Sequence, residues 1–403
     1  MDAYVQLAPN GAFKWEMKMY DDDYDDMPDF AEPGSGSALR AATPTNPHDQ
    51  PCPTCAWPNR LTREDVTAQK GATSQLTNQI IKKDRALRNR TITLTDADRD
   101  DLRAHIFTIE NLPKNPVNST ILGNCLTVAP ILGRGMIDLL VLDPPYNLTK
   151  RFGDNTFTRR PVDEYTNWLV MVLDRLLPLM KRNGTVYICG DWHTSASIFE
   201  AASRRLQIRN RITWEREKGR GANSNWKNSS EDIWYCTLSD KFTFNVDAVK
   251  LRRKVIAPYR NSDGTPKDWA ETYDGNFRDT HPSNIWTDIT IPFWSMPENT
   301  DHPTQKSEKL LAKLILASTN SGDLVFDPFL GSGTTSVVAR KLGRNYLGIE
   351  AVEEYALLAE WRLRRAETEL GIQGYENGVF WERNTLNAVA SRRRPDKSNT
   401  VNE

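Results

Sequence analysis

Long apolar runs are missing from this 403-residue sequence. No window approaches the roughly 18 consecutive apolar residues of a membrane span, and no basic segment followed by an apolar stretch opens the chain. The sequence therefore predicts neither a membrane span nor a secretory signal. Cysteine is also scarce: the chain has five, without the regular spacing of a disulfide framework. Free thiols suit a reducing compartment, so we expect a cytoplasmic location.

A large net charge is missing as well, because 52 Lys and Arg residues nearly balance 53 Asp and Glu residues. The balance conceals two segments of opposite sign. Residues 1–36 hold nine acidic residues and two lysines, whereas residues 204–260 hold fourteen basic residues and six acidic ones. The basic segment predicts a surface for nucleic-acid phosphates. Its candidate DNA contacts are Arg216, Lys218, Arg220, Arg252, Arg253 and Lys254.

The two ends of the chain differ in composition from its middle. Residues 1–60 are acidic and rich in Pro and Gly, which predicts disorder, and their Cys52 and Cys55 offer half of a zinc site without a second Cys pair nearby. Residues 61–116 carry helix-capping signals and predict a small helical extension. Periodicity fades in residues 371–403, which predicts a C-terminal tail.

The middle of the chain, residues 117–370, alternates short apolar runs with helical segments. This pattern predicts an α/β fold in which a parallel sheet is covered on both faces. Seven strands are expected, at residues 119–124, 137–143, 184–190, 207–215, 232–238, 323–327 and 345–350. Residues 240–300 break the alternation, so we expect an inserted module between two halves of the core, residues 117–239 and 301–370.

The first chemical motif, Asp143-Pro144-Pro145-Tyr146, directly follows an apolar run. A predicted strand therefore delivers it to the sheet edge where ligands bind in doubly wound folds. Two prolines cannot donate backbone hydrogen bonds, so the motif offers acceptors, the Asp143 carboxylate and the Pro144 carbonyl. Two acceptors beside an aromatic ring suit a planar ring with an exocyclic amino group. The alternative is a turn that ends a strand, with Asp143 as a cap.

The second motif is a glycine-rich turn, Asp327-Pro328-Phe329-Leu330-Gly331-Ser332-Gly333-Thr334, between a predicted strand and a predicted helix. It lacks the third glycine of a dinucleotide site, and no Gly-Lys-Ser/Thr follows, so a phosphate ligand is poorly supported. Glu350 ends the next predicted strand, 17 residues after Gly333. An acid at this distance can accept hydrogen bonds from ribose hydroxyls. The turn therefore predicts a ligand that has a ribose and no phosphate.

Together, these residues resemble the S-adenosylmethionine-dependent DNA amino-methyltransferases. The resemblance rests on Asp143 to Tyr146, on Phe329 to Thr335 and on His302-Pro303-Thr304-Gln305-Lys306, and the order of the three motifs resembles the β class of that family. The resemblance implies a Rossmann-like, seven-stranded methyltransferase core with residues 240–300 as a target-recognition module. The family normally has Pro after the lysine of the third motif, whereas this chain has Ser307.

The resemblance implies roles for individual residues. Asp143, Pro144, Pro145 and Tyr146 would form the catalytic motif, in which the acceptors orient the amino group and the tyrosine stacks on a base flipped out of duplex DNA. Lys306 would meet the methionine carboxylate of the cofactor, S-adenosyl-L-methionine. The full cofactor set is Asn124, Asp143, His302, Thr304, Lys306, Asp327, Phe329, Gly331, Ser332, Gly333, Thr334 and Glu350, with no metal.

The resemblance also implies the reaction and the partners. Within the β class, Asp at the first motif position goes with adenine and Ser with cytosine, so Asp143 indicates adenine-N6 methylation. Alternatives are cytosine-N4 methylation, methylation of a protein glutamine, and an inactive relative that only binds DNA. Double-stranded DNA is the expected partner and no membrane is expected. A homodimer and a cognate restriction endonuclease are left open.

Overall fold

The computed structural model describes residues 87–152, 155–216, 225–256, 258–383 and 385–386, and the backbone of residues 4–7 and 13–16. The chain forms two compact units, Met1–Lys82 and Lys83–Glu403. In the first unit, β1 (Tyr4–Leu7) pairs antiparallel with β2 (Phe13–Glu16), although the composition of this segment predicts disorder. Cys52 and Cys55 lie outside the described residues, as do residues 61–86 of the predicted helical extension.

The second unit is built from strands and helices that alternate along most of its length. Its strands are β3 (Ile106–Phe107), β4 (Ser119–Leu122), β5 (Ile137–Leu142), β6 (Lys150–Phe152), β7 (Asn155–Phe157), β8 (Met180–Gly190), β9 (Gln207–Glu215), β10 (Ser230–Thr237), β11 (Leu251–Lys254), β12 (Ala270–Thr272), β13 (Gly275–Thr280), β14 (Ile285–Trp286), β15 (Leu324–Asp327), β16 (Asn345–Glu350), β17 (Tyr375–Glu376) and β18 (Val379–Trp381). Its α-helices are α1 (Asp96–Arg103), α2 (Cys125–Val128), α3 (Val162–Leu176), α4 (Ser195–Ser203), α5 (Glu308–Ser318), α6 (Thr334–Lys341) and α7 (Glu353–Arg365).

The main sheet confirms the α/β prediction and adds to it. Over the described residues it has nine strands in the order β14-β9-β10-β8-β5-β15-β16-β4-β3. All seven predicted strands belong to it, and β3 and β14 extend its edges. The predicted parallel arrangement has one exception among the predicted strands, β10, which runs antiparallel to both β8 and β9. An antiparallel strand begins at the edge where its parallel neighbours end, so the first residues of β10 lie beside the carboxyl ends of the others.

Helices cover both faces of this sheet, as the apolar strands require. Successive residues of β5 point to opposite faces. Leu139 and Val141 pack with α5, while Leu140 and Leu142 pack with α3, and all four side chains are buried. A strand that is apolar on both faces holds its backbone rigidly, and it therefore fixes the position of the residues that follow it, beginning with Asp143.

A second, smaller sheet has the order β12-β13-β11-β18-β17. Strands β11 to β13 come from the predicted insertion, and β17 and β18 come from the predicted C-terminal tail. The structure differs from that prediction here, because β18 pairs parallel with β11 and buries Phe380 and Trp381. Burial of these two aromatic side chains stabilises the folded segment. The weak periodicity of its sequence does not indicate this burial. None of the described helices has the length and apolarity that a membrane crossing requires.

Candidate active site

Asp143 lies directly after β5, at the carboxyl edge of the main sheet. Its side chain is one-fifth exposed, and both of its oxygens accept hydrogen bonds from Lys306 Nζ, at 2.9 and 2.7 Å. The sequence prediction placed Lys306 on the cofactor carboxylate, whereas this structure places it on Asp143. Burial disfavours the lysine ammonium, but the charges of Asp143 and Glu231 outweigh that effect and raise the pKa of Lys306. Lys306 is therefore a permanent cation beside Asp143.

Tyr146 connects Asp143 to Glu231, a buried acid at the start of β10. The Tyr146 hydroxyl lies 3.1 Å from Asp143 Oδ1 and 3.1 Å from Glu231 Oε2. Burial, together with the two negative charges, holds the pKa of Tyr146 well above its usual value. Tyr146 is therefore a neutral phenol that can donate one hydrogen bond. Its ring also receives Lys306 Nζ at 5.3 Å from the ring centre.

Asp327 ends β15, the strand that pairs parallel with β5, so the two motifs meet although 184 positions separate them. Asp327 Oδ2 accepts from the Thr335 hydroxyl at 2.5 Å, and Oδ1 accepts from the Phe329 amide at 3.0 Å. Burial raises the pKa of Asp327 to about 7, and the two hydrogen bonds only partly oppose this shift. Asp327 is thus a buried carboxyl that titrates near neutral pH.

The glycine-rich turn is closely packed on Glu350 and His302. The Gly331 amide donates to Glu350 Oε2 at 2.7 Å, and the Val352 amide donates to Oε1 at 2.9 Å. A Cβ on Gly331, whose φ is +55°, would lie 3.0 Å from two atoms of the His302 ring. Burial and neighbouring cations lower the pKa of His302 to about 3, so the imidazole is neutral. Burial also raises the pKa of Glu350.

A cleft of about 420 Å³, its open mouth included, joins the two motifs. Its lining includes Asp143, His302, Thr304, Lys306, Asp327, Phe329, Gly331, Ser332 and Thr334. Glu350 contacts this lining through the Gly331 amide, and each of its oxygens keeps a lone pair for a hydroxyl donor.

The other predicted cofactor residues have mixed positions. Asn124 is exposed, and its side chain caps α2 by accepting from the Leu126 amide at 2.9 Å. Gly333 has a φ of +81° and lies against α7, where a Cβ would come within 2.5 Å of the Ala359 Cβ. Buried Arg362 holds this turn, because its guanidinium donates to the Ser332 carbonyl at 2.8 Å and to the Thr334 hydroxyl at 2.9 Å.

The predicted DNA contacts also differ in their surroundings. Arg216 lies 2.7 Å from Glu231 Oε1, so it belongs to the network around Tyr146. Arg252 is paired with both oxygens of Asp279 at 2.7 Å. Arg253 lies 3.8 Å from Glu382, and Lys254 is exposed. Lys218 and Arg220 lie outside the described residues.

Residues 148–161 follow the Asp143 to Tyr146 motif. They contain the hairpin β6–β7. Buried Asn147 ties the segment at its base, since its side chain donates to the Arg160 carbonyl and accepts from the Arg160 amide, both at 2.8 Å. Phe157 packs against Trp168 with 5.5 Å between ring centres. The far end of the segment is thereby held against α3.

Sequence reasoning missed Glu231 and Arg362. Glu231 is the second residue of an antiparallel strand and Arg362 lies within a helix, and neither belongs to one of the three motifs. Other charged residues share both elements, among them Asp232 and Arg364, so no local sequence signal distinguishes the two. Three cysteines lie in the core of the described residues. Cys125, Cys189 and Cys236 are free and buried, and burial raises the pKa of all three. Among the described residues, no group of three or more His, Cys, Asp or Glu side chains is arranged to hold a metal ion.

Comparison with known proteins identifies the family. The family model described as DNA methylase matches residues 137–360, which contain all three motifs. The Type II methyltransferase M.HpaI of Haemophilus parainfluenzae is 32% identical over 60% of this chain and 73% of its own length. The DNA adenine methyltransferase YhdJ of Escherichia coli K12 is 32% identical over 62% of this chain and 83% of its own. The Type II methyltransferase M.BglII of Bacillus subtilis is 28% identical over 65% and 72%.

The chain belongs to this DNA methylase family, as its motifs predicted. It is therefore a DNA methyltransferase, and its cofactor is S-adenosyl-L-methionine. Its substrate is double-stranded DNA.

Proposed function

We propose that this DNA methyltransferase modifies the N6 amino group of adenine in duplex DNA. The observation that carries the proposal is the position of Asp143, a carboxylate at the end of β5 that opens onto the same cleft as the glycine-rich turn. The identity of this residue favours adenine over cytosine, and the match to a relative named as an adenine methyltransferase supports the same choice.

The residues of the site suit a reaction that needs orientation more than a strong base. The amino group of a purine is a weak nucleophile because its lone pair is delocalised into the ring. Asp143 and the Pro144 carbonyl accept hydrogen bonds from its two N–H groups, which draws the nitrogen toward tetrahedral geometry and directs its lone pair into the cleft. Lys306 holds the Asp143 carboxylate in place through hydrogen bonds to both of its oxygens. When bound, S-adenosyl-L-methionine supplies the methyl group from its sulfonium centre.

The remaining residues bind the reactants. Tyr146 would stack on the flipped base, a contact worth about 1 to 3 kcal/mol per base. Glu350 would accept from the cofactor ribose. His302, Thr304 and Lys306 would cover the methionine end. A homodimer, a cognate restriction endonuclease and a cytoplasmic location stay predictions.

The product of the reaction tests the proposal. Genomic DNA that lacks methylated bases is incubated with the protein and S-adenosyl-L-methionine, digested to nucleosides and analysed by mass spectrometry. We expect N6-methyladenine, whereas N4-methylcytosine without N6-methyladenine would overturn the choice of base. No methylated base at all would favour a relative that only binds DNA.

Asp143→Ala is the control variant for this assay. It should lower methyl transfer by at least about a hundredfold while the affinity for S-adenosyl-L-methionine changes by less than about tenfold, because the carboxylate acts mainly in the transition state. Turnover near that of the wild type would contradict the assigned role of Asp143.

A further inference from the structure

Glu231 occupies an unusual position for a buried acid. It lies near the start of β10, where the antiparallel strand begins at the catalytic edge of the sheet, and its side chain is only 6% exposed. A buried carboxylate is costly unless partners compensate its charge. Here Arg216 lies 2.7 Å from Oε1, and Lys306 Nζ lies 3.4 Å from Oε2. Arg216 thus occupies one oxygen, and the other faces the site.

Glu231 Oε2 competes with Asp143 Oδ1 for one proton. The Tyr146 hydroxyl is 3.1 Å from each carboxylate, yet a phenol has a single hydrogen and can donate to only one of them at a time. If the proton goes to Asp143, Oδ1 accepts from both Lys306 and Tyr146, and neither of its lone pairs is left for the adenine amino group. If the proton goes to Glu231, one of these lone pairs on Asp143 is open.

We propose that Glu231 is a positioning residue that draws the Tyr146 hydroxyl proton away from Asp143. Glu231 touches neither the base nor the cofactor in this role, and it acts through the direction of one hydrogen bond. The inference rests on the proposed methyl transfer and adds to it a residue outside the three motifs. It also assigns Arg216 the task of fixing the orientation of the Glu231 carboxylate.

The test compares Glu231→Gln in two backgrounds. In the wild-type background, Glu231→Gln removes the charge that attracts the hydroxyl proton, and kcat should fall about tenfold with the affinity for S-adenosyl-L-methionine within about threefold. A tenfold change corresponds to about 1.4 kcal/mol, in the range of a hydrogen bond to a charged group. In the Tyr146→Phe background no hydroxyl remains, so the same substitution should lower kcat by less than threefold. Equal losses in both backgrounds would overturn the proposal.

Asp232→Asn is the matched control. Asp232 is the next residue of β10 and is also buried, but it points to the other face, where it accepts from the Ser195 hydroxyl at 2.7 Å and the Thr213 hydroxyl at 2.9 Å. Its substitution should leave kcat within about twofold. If it lowers kcat as much as Glu231→Gln does, loss of any buried charge on β10 explains the effect and the proposal is wrong.

A further variant and the activity of the wild-type protein separate the remaining outcomes. If Glu231→Gln does not fold, Glu231→Asp keeps the charge on a shorter side chain, and it should show the same loss of kcat and the same suppression by Tyr146→Phe. A wild-type protein that methylates DNA while Glu231→Gln keeps full kcat overturns this inference alone. A wild-type protein that methylates no base overturns the proposed function and this inference with it.

Discussion

At Gly333, the backbone and the neighbouring helix both require glycine. Its φ is +81°, and a Cβ would lie 2.5 Å from the Ala359 Cβ. Gly135 is a matched control, since its φ is +64° and a Cβ there would meet nothing within 4 Å. Substitution by Ala strains the backbone at both positions, but only Gly333→Ala also forces α7 away from the turn.

We therefore expect Gly333→Ala to lower the free energy of unfolding by about 1 to 3 kcal/mol more than Gly135→Ala does. It should also weaken S-adenosyl-L-methionine binding at least about tenfold, because the displaced turn lines the cofactor cleft. Chemical denaturation and calorimetric titration of both variants measure these effects. Similar losses of stability and of cofactor affinity in the two variants would mean that α7 moves away from the turn without destabilising the protein.

Asp327 should make stability depend on pH. Its pKa of about 7 in the folded protein lies above the ordinary value of 3.8, so the folded state holds its proton more tightly than the unfolded state does. This contribution to stability is fully present below about pH 4 and is lost as the pH rises toward 7. In the variant Asp327→Asn, the side chain does not titrate, so this pH-dependent contribution is absent. The melting temperature of the wild type minus that of Asp327→Asn should therefore fall between pH 4 and pH 7, and a constant difference would contradict this assignment.

At the scale of elements, β11 carries three of the predicted DNA contacts, but its side chains have different surroundings. Arg252 is held by Asp279 and lies 5.3 Å from the centre of the Trp381 ring, so it already stabilises the smaller sheet. Lys254 is exposed at the end of the strand. A cation that is already paired releases few counterions from DNA, whereas an exposed one can neutralise a phosphate.

We expect Lys254→Ala to change the slope of log K against log salt concentration by about 0.9, the value for one phosphate contact. Arg252→Ala should leave that slope unchanged and lower the melting temperature instead. Fluorescence anisotropy with duplex DNA at several salt concentrations distinguishes the two variants. If neither variant changes the slope, β11 faces away from DNA.

At the scale of the whole molecule, the acidic segment at residues 1–36 offsets the charge of the remainder. Its removal changes the formal net charge from −1 to +6. The match to the DNA methylase family begins at residue 137, so we expect the shortened protein to methylate the same sequences as the full chain. Non-specific DNA binding at low salt should become tighter, because less negative charge opposes the phosphates. Sequencing of the methylated sites detects any change in specificity.

The sequence by itself determined the core of this protein. The apolar runs of β5, β15 and β16 identify buried strands, and Asp143, Asp327 and Glu350 stand at their carboxyl ends in the order that the family shares. These predictions succeeded because they depend on local information. Strand periodicity, turn-forming glycines and the residue that ends a strand all lie within a few positions of one another.

Only the tertiary structure decided which side chains meet. Lys306 pairs with Asp143 across 163 positions, and Glu231 reaches Tyr146 across 85. Strand β18 pairs with β11, which lies more than a hundred residues earlier, and β17 pairs in turn with β18. Such contacts depend on how elements pack in three dimensions, and no local pattern records them. The direction of β10 illustrates the point, since reversing one strand is what brings Glu231 to the catalytic edge.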